Sequence, residues 1–335
     1  MSFRLALPFL AVIFAFPSGI SAGRYAGDFL DIEVGGRALG MGGAFVALAN
    51  DGSGALFNPA GLAQVQRREI SLMHTWLFTG MASHDFASFA APVGEGLGLG
   101  LSVVRLGVEG IPIFPELRGM PDERRQDPQM RPDGEPEGYF GDEEYAGYVT
   151  VAKAIGYELG KDIRYVSIPV LVCVGGNLKY VYQSLMDKTG TGIGIDFGTI
   201  VGLKLDNILN RPYLGILSLG ISVMDVAGTK ITWDHSGSAD EIPANFRYGA
   251  SYLHDVPSLQ GEVTLSLQVD TKYGQNISFG AEYMLLKRLA VRAGYTGSDL
   301  TLGAGVSGPY HSTLDYAFAK HEIDNTHRIC LGVWF

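Results

Sequence analysis

Residues 261–295 read "GEVTLSLQVDTKYGQNISFGAEYMLLKRLAVRAGY", and their spacing decides the fold. Val263, Leu265, Leu267 and Val269 alternate with Glu262, Thr264, Ser266, Gln268 and Asp270. Ile277, Phe279, Ala281 and Tyr283 alternate with Asn276, Ser278, Gly280 and Glu282. Leu289, Val291, Ala293 and Tyr295 then alternate with Ala290, Arg292 and Gly294. A helix places its apolar residues three and four apart, whereas a spacing of two gathers them on one face of a strand.

The same period fills the last ten residues, "THRICLGVWF" (326–335), where Ile329, Leu331, Val333 and Phe335 share a face. About fourteen such runs follow one another, near 69–78, 82–92, 96–107, 144–155, 168–183, 189–203, 214–224, 245–253, 261–271, 275–285, 287–296, 299–306, 312–319 and 326–335. Most have the length of a tilted strand crossing a bilayer, and the number is even, as in bacterial outer-membrane barrels. A soluble sandwich alternates in the same way. Two features favour the barrel. The polar face is rich in glycine, as in "GLGLGLS" (96–102) and "TGIGIDFG" (191–198). Aromatics stand near strand ends, at Trp76, Phe78, Tyr180, Tyr182, Tyr252, Tyr295, Trp334 and Phe335, where interfacial girdles lie. A closed barrel is also the one all-β way to satisfy every backbone group in lipid. The expected fold is all-β: a transmembrane antiparallel β-barrel of about 14 strands.

Composition agrees. Charged residues are 18% of the chain, against about 25% in a soluble domain. No stretch after the leader is apolar for the roughly 20 residues a spanning helix needs. The net charge of −10 argues against a nucleic-acid partner. Cys173 and Cys330 lie far apart and in no metal-ligand spacing; they read as buried free thiols, with a disulfide as the alternative. Asp142-Glu143-Glu144 lacks the spacing of a calcium loop, so neither metal nor cofactor is expected.

The N-terminus reads as a secretory leader. Arg4 gives a positive start, "LALPFLAVIFAF" (5–16) the apolar region, and "SGISA" (18–22) small residues before a cut after Ala22. The expected organisation is leader 1–22, plug 23–66 and barrel 67–335.

Between leader and barrel stands "GGRALGMGGAFVALANDGSGALFNPAGLA" (35–63), neither a good helix nor a good strand. Pro59 fixes its own φ and pushes Asn58 out of the helical region, with Ala60 completing the element. Asp51-Gly52 favours a turn, and Gly40, Gly42 and Gly43 allow close packing against a wall. Irregular backbone at membrane depth must be buried in protein or line a cavity. The segment is therefore expected inside the lumen, as a gate or as a structural cork.

The polar faces carry Lys179, Asp196, Arg247, Glu262, Asp270, Glu282, Arg292, Asp315 and Arg328. Their mixed signs suggest ion-pair networks that stiffen the lumen and hold the plug, because buried charges are costly unless paired. If the first strand rises from the periplasm, the connections after odd-numbered strands face outside. These include 108–142, 225–243 and 320–325, while the even ones include "PVGEG" (92–96), "LLKR" (285–288) and "GPYH" (308–311). The connections 157–167 and 204–215 are longer than that rule expects. The 108–142 loop, with Pro112, Pro115, Pro121, Pro128, Pro132 and Pro136 among many charges, reads as an extended surface segment able to meet a partner. His74, His84, Ser71, Ser83 and Asp85 fall on adjacent strands, yet no Gly-x-Ser-x-Gly elbow is present and no enzyme is expected. The glycine-rich runs precede no helix and are not phosphate loops.

Several stretches resemble the PorV/PorQ family, part of the wider FadL-like group of outer-membrane barrels. They are the 35–63 segment, "EIPANFRYGASY" (241–252), "VDTKY" (269–273), "GAEYMLLKRLAVRAGY" (280–295) and "STLDYAFAKHEIDNTHRICLGVWF" (312–335). The resemblance runs from about Gly35 to Phe335, and the 108–142 loop departs from it. It implies a fourteen-stranded barrel with an N-terminal hatch in the lumen. It implies two roles: the expected one is binding or passing on secreted cargo as a type IX secretion-associated protein, and the alternative is FadL-like movement of hydrophobic small molecules such as fatty acids. Outer-membrane lipid is the remaining expected partner.

Overall fold

The computed structural model describes residues 26–117, 119–127, 134–159, 168–206, 214–234, 237, 239–320 and 325–335. The leader, including Ala22, lies outside them. The wall is built from β1 (Glu69–Leu77), β2 (Ala82–Pro92), β3 (Leu97–Ile113), β4 (Gly138–Leu159), β5 (Ile168–Leu185), β6 (Lys188–Lys204) and β7 (Ile216–Met224). A short hairpin follows, β8 (Thr229–Trp233) and β9 (Ala239–Ile242). The wall resumes with β10 (Asn245–Val256), β11 (Gly261–Asp270), β12 (Asn276–Leu285), β13 (Leu289–Tyr295), β14 (Leu300–Gly308), β15 (Ser312–Ala319) and β16 (Thr326–Trp334). Each wall strand pairs antiparallel with its neighbours in the chain, β7 pairs β10, and β16 returns to β1. Leaving aside β8 and β9, fourteen strands close with no free edge.

The alternating sequence becomes two surfaces. Ile193 is 67% exposed and Val291 65% exposed, on the outside, while their neighbours Gly192, Arg292 and Ala290 are buried within. Apolar side chains facing outward all round a closed wall require lipid as solvent, so this is an outer-membrane-type β-barrel. Among the described residues no helix is long and apolar enough to cross a membrane; the crossing is made by strands.

The two ends differ in their connections, although 160–167 and 205–215 are long ones on the mostly short end. The short end carries residues 93–96, 286–288 and 309–311 and the C-terminus, where the Phe335 N–H donates to the Arg68 carbonyl at 2.9 Å. Leu286-Lys287 and Tyr310-His311 all take positive φ, from 51° to 61°, the two-residue turn whose twist matches the flanking strands. We take this end as periplasmic. The opposite, outer end holds the β3–β4 connection and the β8–β9 hairpin.

Two expectations change here. Residues 108–113 and 138–142 are not loop: Ile111 pairs Phe140 and Val108 pairs Asp142 across a register shift, so β3 and β4 carry the wall outward beyond the membrane. Of the described prolines, Pro112 pairs Tyr139 next to the ladder's end and Pro115, Pro121 and Pro136 fall beyond it, and a short helix, α2 (Pro121–Gln126), occupies part of the tip. The segment 225–243 likewise contains the β8–β9 hairpin, whose Ile231 pairs Gly192 and so extends β6. Most of the 157–167, 204–215 and 320–325 connections lie outside the described residues.

Candidate functional site

The core lies between the wall and residues 26–66, which occupy the lumen. Phe29, Phe45, Phe57 and Met41 from that segment meet Met73, Phe86, Val104 and Ile200 from the wall, all buried. The segment begins at the outer end. Tyr273 Oη donates to Asp28 at 2.7 Å, and Lys272 pairs with Asp31 at 2.6 Å. From the 3-10 turn Asp28–Asp31 it then runs inward through α1 (Gly36–Gly40) and two further 3-10 turns, and reaches β1 at the periplasmic end.

Such irregular backbone leaves many polar groups that no helix or ladder satisfies, and each must find a partner. The wall supplies them. Gln268 Oε1 accepts from the Phe45 and Val46 N–H groups at 3.1 and 2.9 Å. Asn177 donates to the Ala55 carbonyl at 2.9 Å, Arg247 to that of Leu56 at 3.0 Å, and Ser222 to that of Phe57 at 2.8 Å. Near α1 the Gly36 N–H donates to Cys330 Sγ at 2.8 Å and the Gly35 N–H to Met73 Sδ at 3.1 Å. Both cysteines are free.

Asn58 is the hub of the Asn-Pro-Ala element. It is fully buried and caps the turn Pro59–Gln64 by accepting from the Ala60 N–H at 3.1 Å. Its amide donates to the carbonyls of Val46 at 2.9 Å, Thr199 at 3.1 Å and Ile221 at 3.3 Å. One side chain thus joins two plug segments to β6 and β7. Asp51 has a local role, accepting from the Ser53 N–H at 3.0 Å and hydroxyl at 2.6 Å.

Glycine gives the plug its close approach. A Cβ on Gly42, at φ 65°, would meet the Tyr295 backbone N at 2.5 Å, and one on Gly40 the Gly303 Cα at 3.1 Å. Gly43, at φ 73°, faces Glu33 within the plug at 2.8 Å. The wall answers with its own glycines: a Cβ on Gly175 would meet the Pro59 carbonyl at 2.6 Å, and one on Gly280, Gly294 or Gly220 would overlap plug backbone. The glycine-rich inner face is a set of seats.

The charged residues divide into separate groups. Arg37 of α1 holds Glu282 with two contacts of 2.9 and 3.0 Å; Arg292 holds Glu282 and Asp315 at 2.6 Å each. Lys179 sits between Asp196 at 3.3 Å and Asp225 at 2.6 Å, and Arg247 pairs with Asp270 at 2.7 Å. Two expected members do not join. Glu262 pairs with the exposed Lys287 at 3.4 Å near the periplasmic rim. Arg328 makes no ion pair among the described residues, and its Nε and Nη1 have no hydrogen-bond partner. The reason is register: Arg328 faces Thr75 and Ala317 across the sheet, and the carboxylate that acts on it is Glu33 of the plug. Burial lifts the Glu33 carboxyl above its ordinary value, with Arg328 pulling only partly the other way.

Two polar cavities flank the plug. One of about 350 Å³ lies at the periplasmic end beside Arg37, Asp51, Glu69, Glu282 and Asp315. One of about 230 Å³ lies at the outer end beside Asp31, Glu33, Arg247 and Lys272. Phe57 borders the outer cavity and Met73 and Phe86 the periplasmic one, so the apolar core forms a layer between them.

On the outside of the wall His74 Nδ1 lies 2.6 Å from Asp85, but Ser83 accepts from Arg105 at 3.3 Å, so no serine is set against that histidine. His84 points into the lumen, fully buried, with neither ring nitrogen bonded. Among the described residues no cluster of metal ligands forms. Gln268, Asn177, Ser222 and Arg37 went unnoticed in the sequence. Gln268 and Ser222 had one signal, a polar residue at an inward position facing Gly249 and Gly198, whereas Asn177 faces Thr150 and Asp196, and Arg37 lies on the plug.

Residues 18–110 match the model of an uncharacterised protein family, UPF0164, a span that takes in the plug and the wall as far as Gly110. No curated protein matches the chain. Among solved structures it is similar to the CymD monoaromatic hydrocarbon channel, at 13% identity over 90% of this chain and 96% of that one, with a TM-score of 0.47. It is similar to a TodX monoaromatic hydrocarbon channel deltaS2 mutant, at 10% identity over 90% and 97%, with a TM-score of 0.49. A Pseudomonas aeruginosa FadL homologue gives 11% identity over 87% and 95%, with a TM-score of 0.44. At these values the likeness by itself assigns no function.

Proposed function

We propose that this chain is an outer-membrane channel, without enzymatic activity, for small hydrophobic molecules, gated by the 26–66 plug. The observation that carries this reading is the apolar layer between two polar cavities. A polar or charged solute crossing between Phe57 and Phe86 gives up its hydration against mainly apolar side chains, whereas an apolar solute gives up little. The plug is held by discrete hydrogen bonds, glycine contacts and the ion pairs Arg37–Glu282 and Lys272–Asp31, and opening a path means breaking part of this set. The activity is of the kind named for the CymD and TodX barrels. Uptake of a radiolabelled alkylbenzene and of a long-chain fatty acid tests it, in an outer-membrane strain with and without this chain. Unchanged uptake of both would reject the proposal.

A PorV-like role in type IX secretion is the second reading, favoured by the outer β3–β4 extension. There Phe114, Leu117 and Met120 are all more than half exposed above the membrane. Pull-down of secreted cargo that fails when residues 114–127 are replaced by a glycine-serine linker would move the assignment to this reading.

A further inference from the structure

Three neighbouring side chains on the inner face of the wall are left without partners. Arg328 faces Thr75 across the sheet, and Thr75 faces His84. All three point into the lumen, and none is more than 3% exposed. Arg328 Nε and Nη1, Thr75 Oγ1 and both ring nitrogens of His84 have no hydrogen-bond partner among the described residues. Directly paired residues stand about 5 Å apart at Cβ, so these atoms belong to one small region. A buried guanidinium with neither counter-ion nor acceptor is costly, and orphan groups side by side require an explanation. The row lies one step outward of Cys330, Met73 and Phe86, at the outer edge of the apolar layer.

The plug brings a carboxylate to this level. Gly35 and Gly36 are seated on Met73 and Cys330, and Glu33 precedes them on the side of the outer end. Glu33 acts on Arg328 through its charge, yet no contact joins them among the described residues. It borders the outer cavity instead, where both cations are already committed: Arg247 to Asp270 at 2.7 Å and Lys272 to Asp31 at 2.6 Å. A carboxyl without a cation and a guanidinium without an anion thus stand near each other without touching. Glycines bound the stretch that carries Glu33. Gly27 takes φ 71° and Gly35 φ 86°, a region that glycine enters at no steric cost. Residues 28–34 can turn about these two points while α1 keeps its place. We propose that Arg328, with Thr75 and His84, is a second seat for the Glu33 carboxylate, so that the outer stretch of the plug has two positions. In the first, Glu33 faces the outer cavity. In the second, it accepts from Arg328, from the Thr75 hydroxyl and from a ring N–H of His84. The second position draws residues 28–34 toward β16 and β1 and off Lys272 and Tyr273, the first step in releasing the plug from its outer end. This inference rests on the plug being a gate, but it concerns the plug's position and not the solute.

Maleimide labelling of the full barrel in detergent, at one mildly alkaline pH, tests it without transport. Leu30→Cys is the reporter, in a chain also carrying Cys173→Ser and Cys330→Ser. Leu30 lies in the turning stretch and packs against the core, so its labelling rate reads how often that stretch leaves its place. Arg328→Gln should slow labelling about tenfold, the scale of coupling between two groups in contact, and Arg328→Lys should restore most of the rate. Glu33→Gln should slow it equally, and adding Arg328→Gln to Glu33→Gln should change nothing further. Heat-modifiable gel mobility confirms that each variant is folded. Labelling as fast or faster in Arg328→Gln would show that Arg328 only holds the plug in place and would overturn the proposal. An equal slowing by Arg328→Gln when Glu33→Gln is already present would overturn it as well. Loss of the channel reading in the uptake assay, with this labelling pattern intact, would leave the second seat established.

Discussion

Gly198 and Asn58 are interlocked: a Cβ on Gly198 would overlap Asn58 Oδ1 and stand 2.9 Å from Pro59 Cδ. The inward face of β6 must be bare at this point for the Asn-Pro-Ala element to dock. Gly198→Ala should therefore cost about 1–3 kcal/mol, the range for overpacking a tight interior. The urea midpoint in detergent measures it. Gly156→Ala, where nothing lies within 4 Å, is the matched control and should leave the midpoint unchanged.

Asn58→Ala should loosen the plug, since it removes donors from three carbonyls and the cap from the Pro59 turn. Each buried group left unmatched costs about 1–3 kcal/mol. Planar-bilayer recordings should show frequent openings in the variant and a quiet wild type. Asn58→Asp keeps the cap acceptor but turns a second oxygen on the carbonyls, and should open the channel at least as often.

Among the described residues Glu282 is the carboxylate that pairs with both the plug's Arg37 and the wall's Arg292. Glu282→Gln leaves two guanidiniums facing a neutral group and should lower stability by about 3–5 kcal/mol, as for a broken buried pair. Arg37→Gln should cost less, because Arg292 still neutralises Glu282 and Arg37 is partly exposed. Equal urea midpoints for the two variants would contradict the shared pair.

Glu33 makes plug docking depend on pH. Its carboxyl is raised in the folded chain, so the docked state holds the proton more tightly than the free segment does. The resulting stabilisation is complete below the ordinary value of 4.5 and is lost as pH rises through the raised value. Channel openings should thus become more frequent with rising pH over that window. Glu33→Gln should flatten the response, and an unchanged pH profile would show that another group controls it.

Much of the wall was legible because lipid imposes one rule on every strand. Outward residues from Val263 to Val269, or Ile329 to Val333, must be apolar, and alternation reports this directly. The ends of β3 and β4 were not legible, since beyond the membrane Gly107, Gly110 and Gly141 interrupt the pattern while the ladder continues. The plug was legible only as irregular chain. Its partners, such as Gln268 for Val46 or Cys330 for Gly36, lie more than two hundred residues away in sequence, and no local signal joins them. Arg328 shows the complementary failure: its inward position was readable, but the absence of a carboxylate opposite depends on register.

The central claim is that transport requires the plug to leave its seat, and Gly36 permits a direct test. A Cβ on Gly36 would stand 3.2 Å from Cys330 Sγ, so Gly36→Cys, in a chain also carrying Cys173→Ser, brings two thiols within disulfide reach. Uptake of a radiolabelled alkylbenzene into proteoliposomes is then compared under oxidising and reducing conditions. The expected result is uptake lost on oxidation and restored by reduction, with the wild type unaffected. A verified disulfide that leaves uptake unchanged would contradict the account.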